Sequence, residues 1–271
     1  MLKKTVRVYS SSTYQSSDDK EGDLMRKWIG LACVFALTMM VGCGGGGQVL
    51  ALFFYRFTHA SPDMTPVDFY ANEELMGVNK AYEEGTEYFT LGINEPFVEF
   101  YSTPTGDPSN QIDPIEVNPK KNVSVHVVLI GVLNKTGQQF GQRMVAVPIN
   151  RTTPGGSNAR ITVLHGFNRA PQFVTPSVDL AKPGDDTPII ANIPYGLPDP
   201  ELVGNYTGEI PTGGGPYTFA IRIAGEKDAV LYTFGPITFE ANKSYLLILS
   251  GIEGSVTSPP TIIVIEEPIK N

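Results

Sequence analysis

The chain has 271 residues, 20 Lys and Arg against 28 Asp and Glu, a net charge of −8 and two cysteines. Residues 1–42 hold six of the cations and four of the anions, so the part from Cys43 onward has 14 against 24, a net −10. That acidity disfavours a nucleic-acid partner, because the phosphate backbone would be repelled, and it offers no polybasic patch to hold anionic lipid.

Residues 1–24 are polar, with Ser10-Ser11-Ser12 and Asp18-Asp19-Lys20-Glu21, and read as a non-native or disordered extension ahead of Met25. From Met25 the pattern changes. Arg26 and Lys27 precede an apolar run from Ile29 to Val41, then Gly42-Cys43-Gly44. Two cations, a short greasy stretch and small residues before a cut site make a secretory signal peptide over residues 25–42. Met40-Val41-Gly42-Cys43 resembles a bacterial lipobox, so Cys43 is the expected lipidation site. Residues 43–51, with Gly44 to Gly47, then form a tether. Gly44 is not the Asp that commonly retains lipoproteins in the inner membrane. The expected location is therefore the outer membrane of the cell envelope, on its periplasmic face or at the cell surface, attached through N-terminal acyl chains. Cys33 falls inside the signal, so the mature chain has no second thiol for a disulfide and relies on burial for stability.

The body reads as strands. Phe97-Val98-Glu99-Phe100-Tyr101, the alternating Val123, Val125, Val127 and Leu129, Tyr217 to Ile223, Tyr245 to Leu249 and Thr261 to Ile265 are short β-branched or aromatic runs between Gly, Pro and Asn turns. No window of a dozen residues carries a helical stripe. The expected fold is all-β, two tandem immunoglobulin-like, antiparallel β-sandwiches of about seven strands each.

Two copies are visible in the sequence. His59 is echoed by His165, Asp68 by Asp179, Tyr82 by Tyr195, Tyr88 by Tyr206 and Lys121 by Lys243, at offsets of 106, 111, 113, 118 and 122. Offsets that grow along the chain are what loop insertions in the second copy produce. The first repeat is placed at residues 52–150, a turn-rich linker (Thr153-Pro154-Gly155-Gly156) at 151–158 and a divergent second repeat at 159–271. Each repeat, at about 100 residues, is long enough to fold by itself.

His59-Ala60-Ser61-Pro62-Asp63 followed by Pro66-Val67-Asp68-Phe69-Tyr70-Ala71-Asn72 resembles the opening of the bacterial family DUF4397, a domain of unknown function. The resemblance implies extracytoplasmic β-sandwich domains, often in lipoproteins or surface proteins, with no established reaction. In the second repeat Gly166-Phe167-Asn168-Arg169 replaces the Ala-Ser-Pro-Asp stretch.

The residues that could carry chemistry are few. His59 with Asp68, and His165 with Asp179, recur as pairs and admit a metal or acid–base reading. A residue repeated in both copies of a scaffold is more simply explained by the scaffold, the imidazole holding backbone at a strand end. His126 alternates with Val125 and Val127 and is read as a residue of the polar side of its strand. Asp107, Asp113, Asp185 and Asp186 lie in loops without the acidic spacing of a calcium loop. A Gly-x-Ser-x-Gly elbow and a phosphate-binding glycine loop are both missing. The expectation is a lipid-anchored envelope protein that acts as a binding, structural or adhesion module, with no catalytic residue, metal or cofactor. Its partner would be an envelope polysaccharide or protein. The rival class is a glycan-processing or metal-dependent envelope enzyme, recognisable by a deep pocket with converging titratable groups.

Overall fold

The computed structural model describes residues 7–9, 52–92, 96–119, 123–132, 141–169, 175–196 and 206–269. The signal peptide, Cys43 and the tether lie outside the described residues. The fold is all-β, two tandem β-sandwiches. A short strand β1 (Arg7–Tyr9) comes first. The first repeat runs β2 (Leu52–His59), β3 (Val67–Ala71), β4 (Glu74–Lys80), β5 (Phe89–Gly92), β6 (Val98–Pro104), β7 (Ile112–Val117), β8 (Val123–Ile130) and β9 (Arg143–Asn150). The second runs β10 (Asn158–His165), β11 (Val178–Ala181), β12 (Ile190–Ile193), β13 (Thr207–Pro211), β14 (Tyr217–Ile223), β15 (Val230–Ile237), β16 (Ser244–Ser250) and β17 (Thr261–Glu267). Among the described residues each repeat thus has eight strands rather than about seven. Four-residue strands such as β5, β11 and β12 carry too few apolar residues to announce themselves in sequence.

The strand orders of the two repeats are the same. The first forms sheets β5-β2-β8-β9 and β4-β3-β6-β7. The second forms β13-β10-β16-β17 and β12-β11-β14-β15, with β1 added in parallel beside β17. One pairing per repeat is parallel, β2 with β8 and β10 with β16; the remaining pairings within the repeats are antiparallel. His59 faces Leu129 in the first repeat as His165 faces Leu249 in the second. β8 and β16 are therefore related by an offset of 120, from Leu129 to Leu249, and not by the 122 that matching Lys121 to Lys243 implied.

The first core is aromatic. Phe53, Tyr55 and Phe57 alternate along β2 onto one face and meet Phe69 and Phe100 from the opposite sheet, with Phe57 and Phe69 stacked at 4.9 Å. The outward face of β2 and β8 does not meet solvent. Thr58, Ser124, His126, Val128 and Ile130 are all buried. Val128, Ile130, Val145, Val147 and Ile149 belong to one hydrophobic cluster with Ile161, Val163, Leu246, Ile248 and Val264 of the second repeat. The two repeats thus share a core, packed sheet against sheet. This is why β16 and β17 read as near-continuous apolar runs instead of alternating ones: both of their faces are covered.

The contacts across this junction are reciprocal. Ser250 Oγ donates to the carbonyl of Ala60 at 2.8 Å, while a Cβ on Gly166 would lie 2.9 Å from Ile130. Gly166 is the counterpart of Ala60, and Ile130 that of Ser250. Residue i meeting j while the counterpart of j meets that of i is the signature of a two-fold interface. The tandem chain is built as an intramolecular pseudo-dimer.

Candidate functional site

The paired histidines end the first strand of each repeat. His59 is fully buried, its Nε2 is 3.3 Å from the carbonyl of Thr65, and its Nδ1 accepts from the Ser61 amide at 3.2 Å. His165 is also fully buried, with Nε2 3.1 Å from the carbonyl of Pro176. Each ring packs edge-on against a tyrosine, Tyr82 or Tyr195, at 6.4 and 5.6 Å. The backbone carbonyls repeat too, His59 O accepting from Glu83 and His165 O from Gly196, both at 2.7 Å. Burial lowers both imidazoles to about 4, the carbonyl contact opposing it, so both are neutral at pH 7. A neutral ring donating from Nε2 to a carbonyl pins the loop between the first two strands.

The aspartates do a separate job. Asp68 Oδ1 accepts from the Asn79 amide at 2.7 Å and from Thr105 Oγ1 at 2.8 Å. Asp179 Oδ1 accepts from Asn192 at 2.8 Å, and its Oδ2 from Gly225 at 3.1 Å. Asn79 and Asn192 both hold φ of 51°, the left-handed conformation that asparagine tolerates better than most. Each carboxylate therefore secures the left-handed residue at the register shift where β4 pairs β3 or β12 pairs β11. The histidine and aspartate of a repeat hold different partners, and among the described residues no group of three His, Cys, Asp or Glu converges as a metal site would require.

His126 requires a correction. It points away from Val125 and Val127 as expected, yet that side is the junction, not a solvated face, and the residue is fully buried. Its Nδ1 lies 2.6 Å from Glu267 Oε1 and its Nε2 2.7 Å from Thr58 Oγ1. Tyr88 donates to the other oxygen of Glu267. The guanidinium of Arg56 lies 5.2 Å from the Tyr88 ring centre, in cation–π range. Burial pushes the His126 pKa down against the pull of Glu267, and pushes the Tyr88 hydroxyl well up, with Glu267 adding to that. A neutral His126 that donates from Nδ1 to the carboxylate and accepts from Thr58 satisfies every partner. Thr58, His126 and Glu267 stand in the order of a nucleophile–base–acid relay. All three are at most 1% exposed, which leaves a substrate no approach. The network joins the two repeats.

This network was illegible because Glu267 lies 141 residues from His126. The available signal was a histidine inside the uninterrupted apolar run from Val125 to Ile130, which marks a strand covered on both faces. The His-Ala-Ser-Pro stretch is scaffold in the same sense. Ser61 Oγ donates to Gly131 O at 2.9 Å, and the carbonyls of Ala60 and Pro62 accept from Ser250 and Ser258 of the other repeat at 2.8 Å each. In the second repeat Asn168 replaces Pro62, accepting from Tyr195 and donating to Gly166 O, both at 3.0 Å.

What faces outward is different in kind. On sheet β4-β3-β6-β7, Tyr70 and Tyr101 are cross-strand partners stacked at 4.8 Å with planes 7° apart. Leu75, 49% exposed, stands opposite Tyr70 on its other side. Burial raises the Tyr101 hydroxyl, with Tyr70, Glu73 and Glu99 adding to it, which places those carboxylates around the pair. The corresponding row of the second repeat is Ala181 beside Ala220. There Arg222 turns toward Asp179 at 3.6 Å and donates to the carbonyls of Asp185 and Asp186 at 2.8 Å, beside an open cleft of about 470 Å³ also lined by Asn192 and Lys227.

No curated protein matches the chain. Among solved structures it is similar to a candidate cell adhesion protein from Bacteroides eggerthii, at 10% identity over 84% of this chain and 100% of that one, with a TM-score of 0.18, too low to carry an argument about shape. Residues 54–179 match the family described as a domain of unknown function, DUF4397. That match takes in the first sandwich from β2 to β9 and enters the second as far as β11, so the resemblance carried by His59 to Asn72 is borne out over this stretch.

Proposed function

We propose that the chain is a lipid-anchored protein of the cell envelope that works as a binding or structural module and not as an enzyme. The observation that carries this reading is the division of its side chains. All three histidines are fully buried and hold backbone or carboxylate inside the scaffold, while the exposed Leu75 and the half-buried Tyr70, stacked on Tyr101, lie on an outer sheet face. A hydrolase needs its base within reach of substrate. An interaction module needs an ordered outer surface with apolar anchors. The lipobox at Cys43 supports attachment by acyl chains at the outer membrane, with an envelope polysaccharide or protein as partner.

Two measurements test it. Cys43→Ala should move the protein from the detergent-rich to the aqueous phase of envelope extracts; unchanged partitioning would contradict lipid anchoring. Capture of envelope components on the purified chain, alongside lectin and peptidoglycan binding, should return a specific partner. Turnover of a glycan or ester substrate, abolished by His126→Gln, would refute the non-enzymatic reading.

A further inference from the structure

We propose that the outer face of sheet β4-β3-β6-β7 is a docking surface for a basic, partly apolar polypeptide segment, seated on Leu75 and on Tyr70, which the buried Tyr101 backs, with its cations on Glu99 and Glu116. This deepens the binding-module reading and rests on it.

The chain contains its own control. The same sheet is built twice with the same strand order, and where the first copy has Tyr70 beside Tyr101 the second has Ala181 beside Ala220. The second sandwich therefore forms without an aromatic pair at this place. The neighbouring charges point the same way. Glu99 and Glu116 are directly opposed on β6 and β7, on the face that carries Tyr101. Like charges directly across a sheet are destabilising, and among the described residues neither carboxylate has a cationic partner.

The geometry favours a cationic chain over a sugar. A sugar ring stacks on an open aromatic face. Here one face of Tyr70 lies against Tyr101, itself only 7% exposed, and Leu75 stands on the other side, so what is open is an edge of Tyr70 and an aliphatic side chain. Edges and Leu75 suit apolar side chains, and the opposed carboxylates suit lysine or arginine.

The test is fluorescence anisotropy of the full chain with a labelled lysine–leucine peptide, and with the same peptide carrying glutamate for lysine. Glu99→Gln/Glu116→Gln should weaken the lysine peptide about fivefold, as loss of two exposed ion pairs implies. Tyr70→Ala, which leaves the buried Tyr101 in place, should weaken it at least as much. Asp185→Asn/Asp186→Asn removes the same charge from the other repeat and should change affinity less than about twofold. The carboxamide variant relieves a like-charge pair and should melt no lower than the parent, so its binding can be read without a folding defect. Equal weakening by both acid-to-amide variants would reduce the effect to net charge and overturn the proposal, as would equal affinity for the glutamate peptide. Binding of a peptidoglycan oligosaccharide that is lost in Tyr70→Ala but kept in Glu99→Gln/Glu116→Gln would assign the row to sugar and also overturn it. A partner captured from the envelope that still binds both variants would refute this site while leaving the binding-module reading standing.

Discussion

Replacing Glu267 with alanine should be among the most damaging single changes in the chain. The side chain is buried at the junction of the repeats, accepting from His126 Nδ1 at 2.6 Å and from Tyr88. Glu267→Ala strands both donors where water cannot replace the lost acceptor. Breaking one partner of a buried pair costs about 3–5 kcal/mol, and two unsatisfied donors at about 1–3 kcal/mol each give the same range. For a chain of this size that corresponds to a fall in Tm of roughly 10 °C. The pseudo-two-fold relation supplies the compensating variant. The counterparts of His126 and Glu267 are Leu246 and Ile149, both in the shared hydrophobic cluster. His126→Leu/Glu267→Ile with Tyr88→Phe should therefore come within about 1 kcal/mol of the parent or exceed it, since apolar replacements of a buried pair are often neutral or stabilising. Urea unfolding of the parent, Glu267→Ala and the triple variant measures all three terms. If Glu267→Ala costs less than about 0.5 kcal/mol, the level of a surface change, the junction network is not holding the repeats together and the reasoning fails.

Acid should weaken the fold before the carboxylates titrate. His59 and His165 fall from 6.5 to about 4, so the unfolded chain binds these protons first. Stability is then intact above pH 6.5 and lost as pH falls toward 4, at roughly 1.4 kcal/mol per pH unit for each histidine; the slope of urea stability against pH should shrink in folded His59→Gln. Asp68→Ala and Asp179→Ala occupy one place in the two repeats and should differ. The first, part-exposed, should cost about 1 kcal/mol. The second is 4% exposed and has Arg222 at 3.6 Å, so it should cost about 3 kcal/mol or more in the same assay. Gly196→Ala should cost about 1–2 kcal/mol, because Gly196 has φ of 57° and its absent Cβ leaves room for the Arg143 guanidinium that donates to Tyr195 O. Glu83, the counterpart with φ of 70°, already carries a side chain, and Glu83→Gly should be near neutral in thermal melts.

The sequence announced the duplication and the all-β class because both are written locally. Period-two runs bounded by Gly and Pro mark strands, and His59 with His165 and Asp68 with Asp179 recur because the two loops they hold are built alike. What stayed hidden depends on pairing across long separations. The shared core could not be seen, since a strand buried on both faces differs from a one-sided strand only in having apolar residues at every position, as Leu246 to Leu249 do. His126 looked like a residue of a polar face for the same reason: alternation gives the side a residue points to, not what lies there. Tyr70 and Tyr101 were visible as scattered tyrosines and became a stacked pair only when β3 was placed beside β6.

The most direct test of the account is whether the two sandwiches unfold as one body. A shared core and a buried cross-repeat network predict a single endotherm by differential scanning calorimetry, with calorimetric and van't Hoff enthalpies in a ratio of about one. Two resolved endotherms, or a ratio near two that Glu267→Ala leaves unchanged, would contradict it.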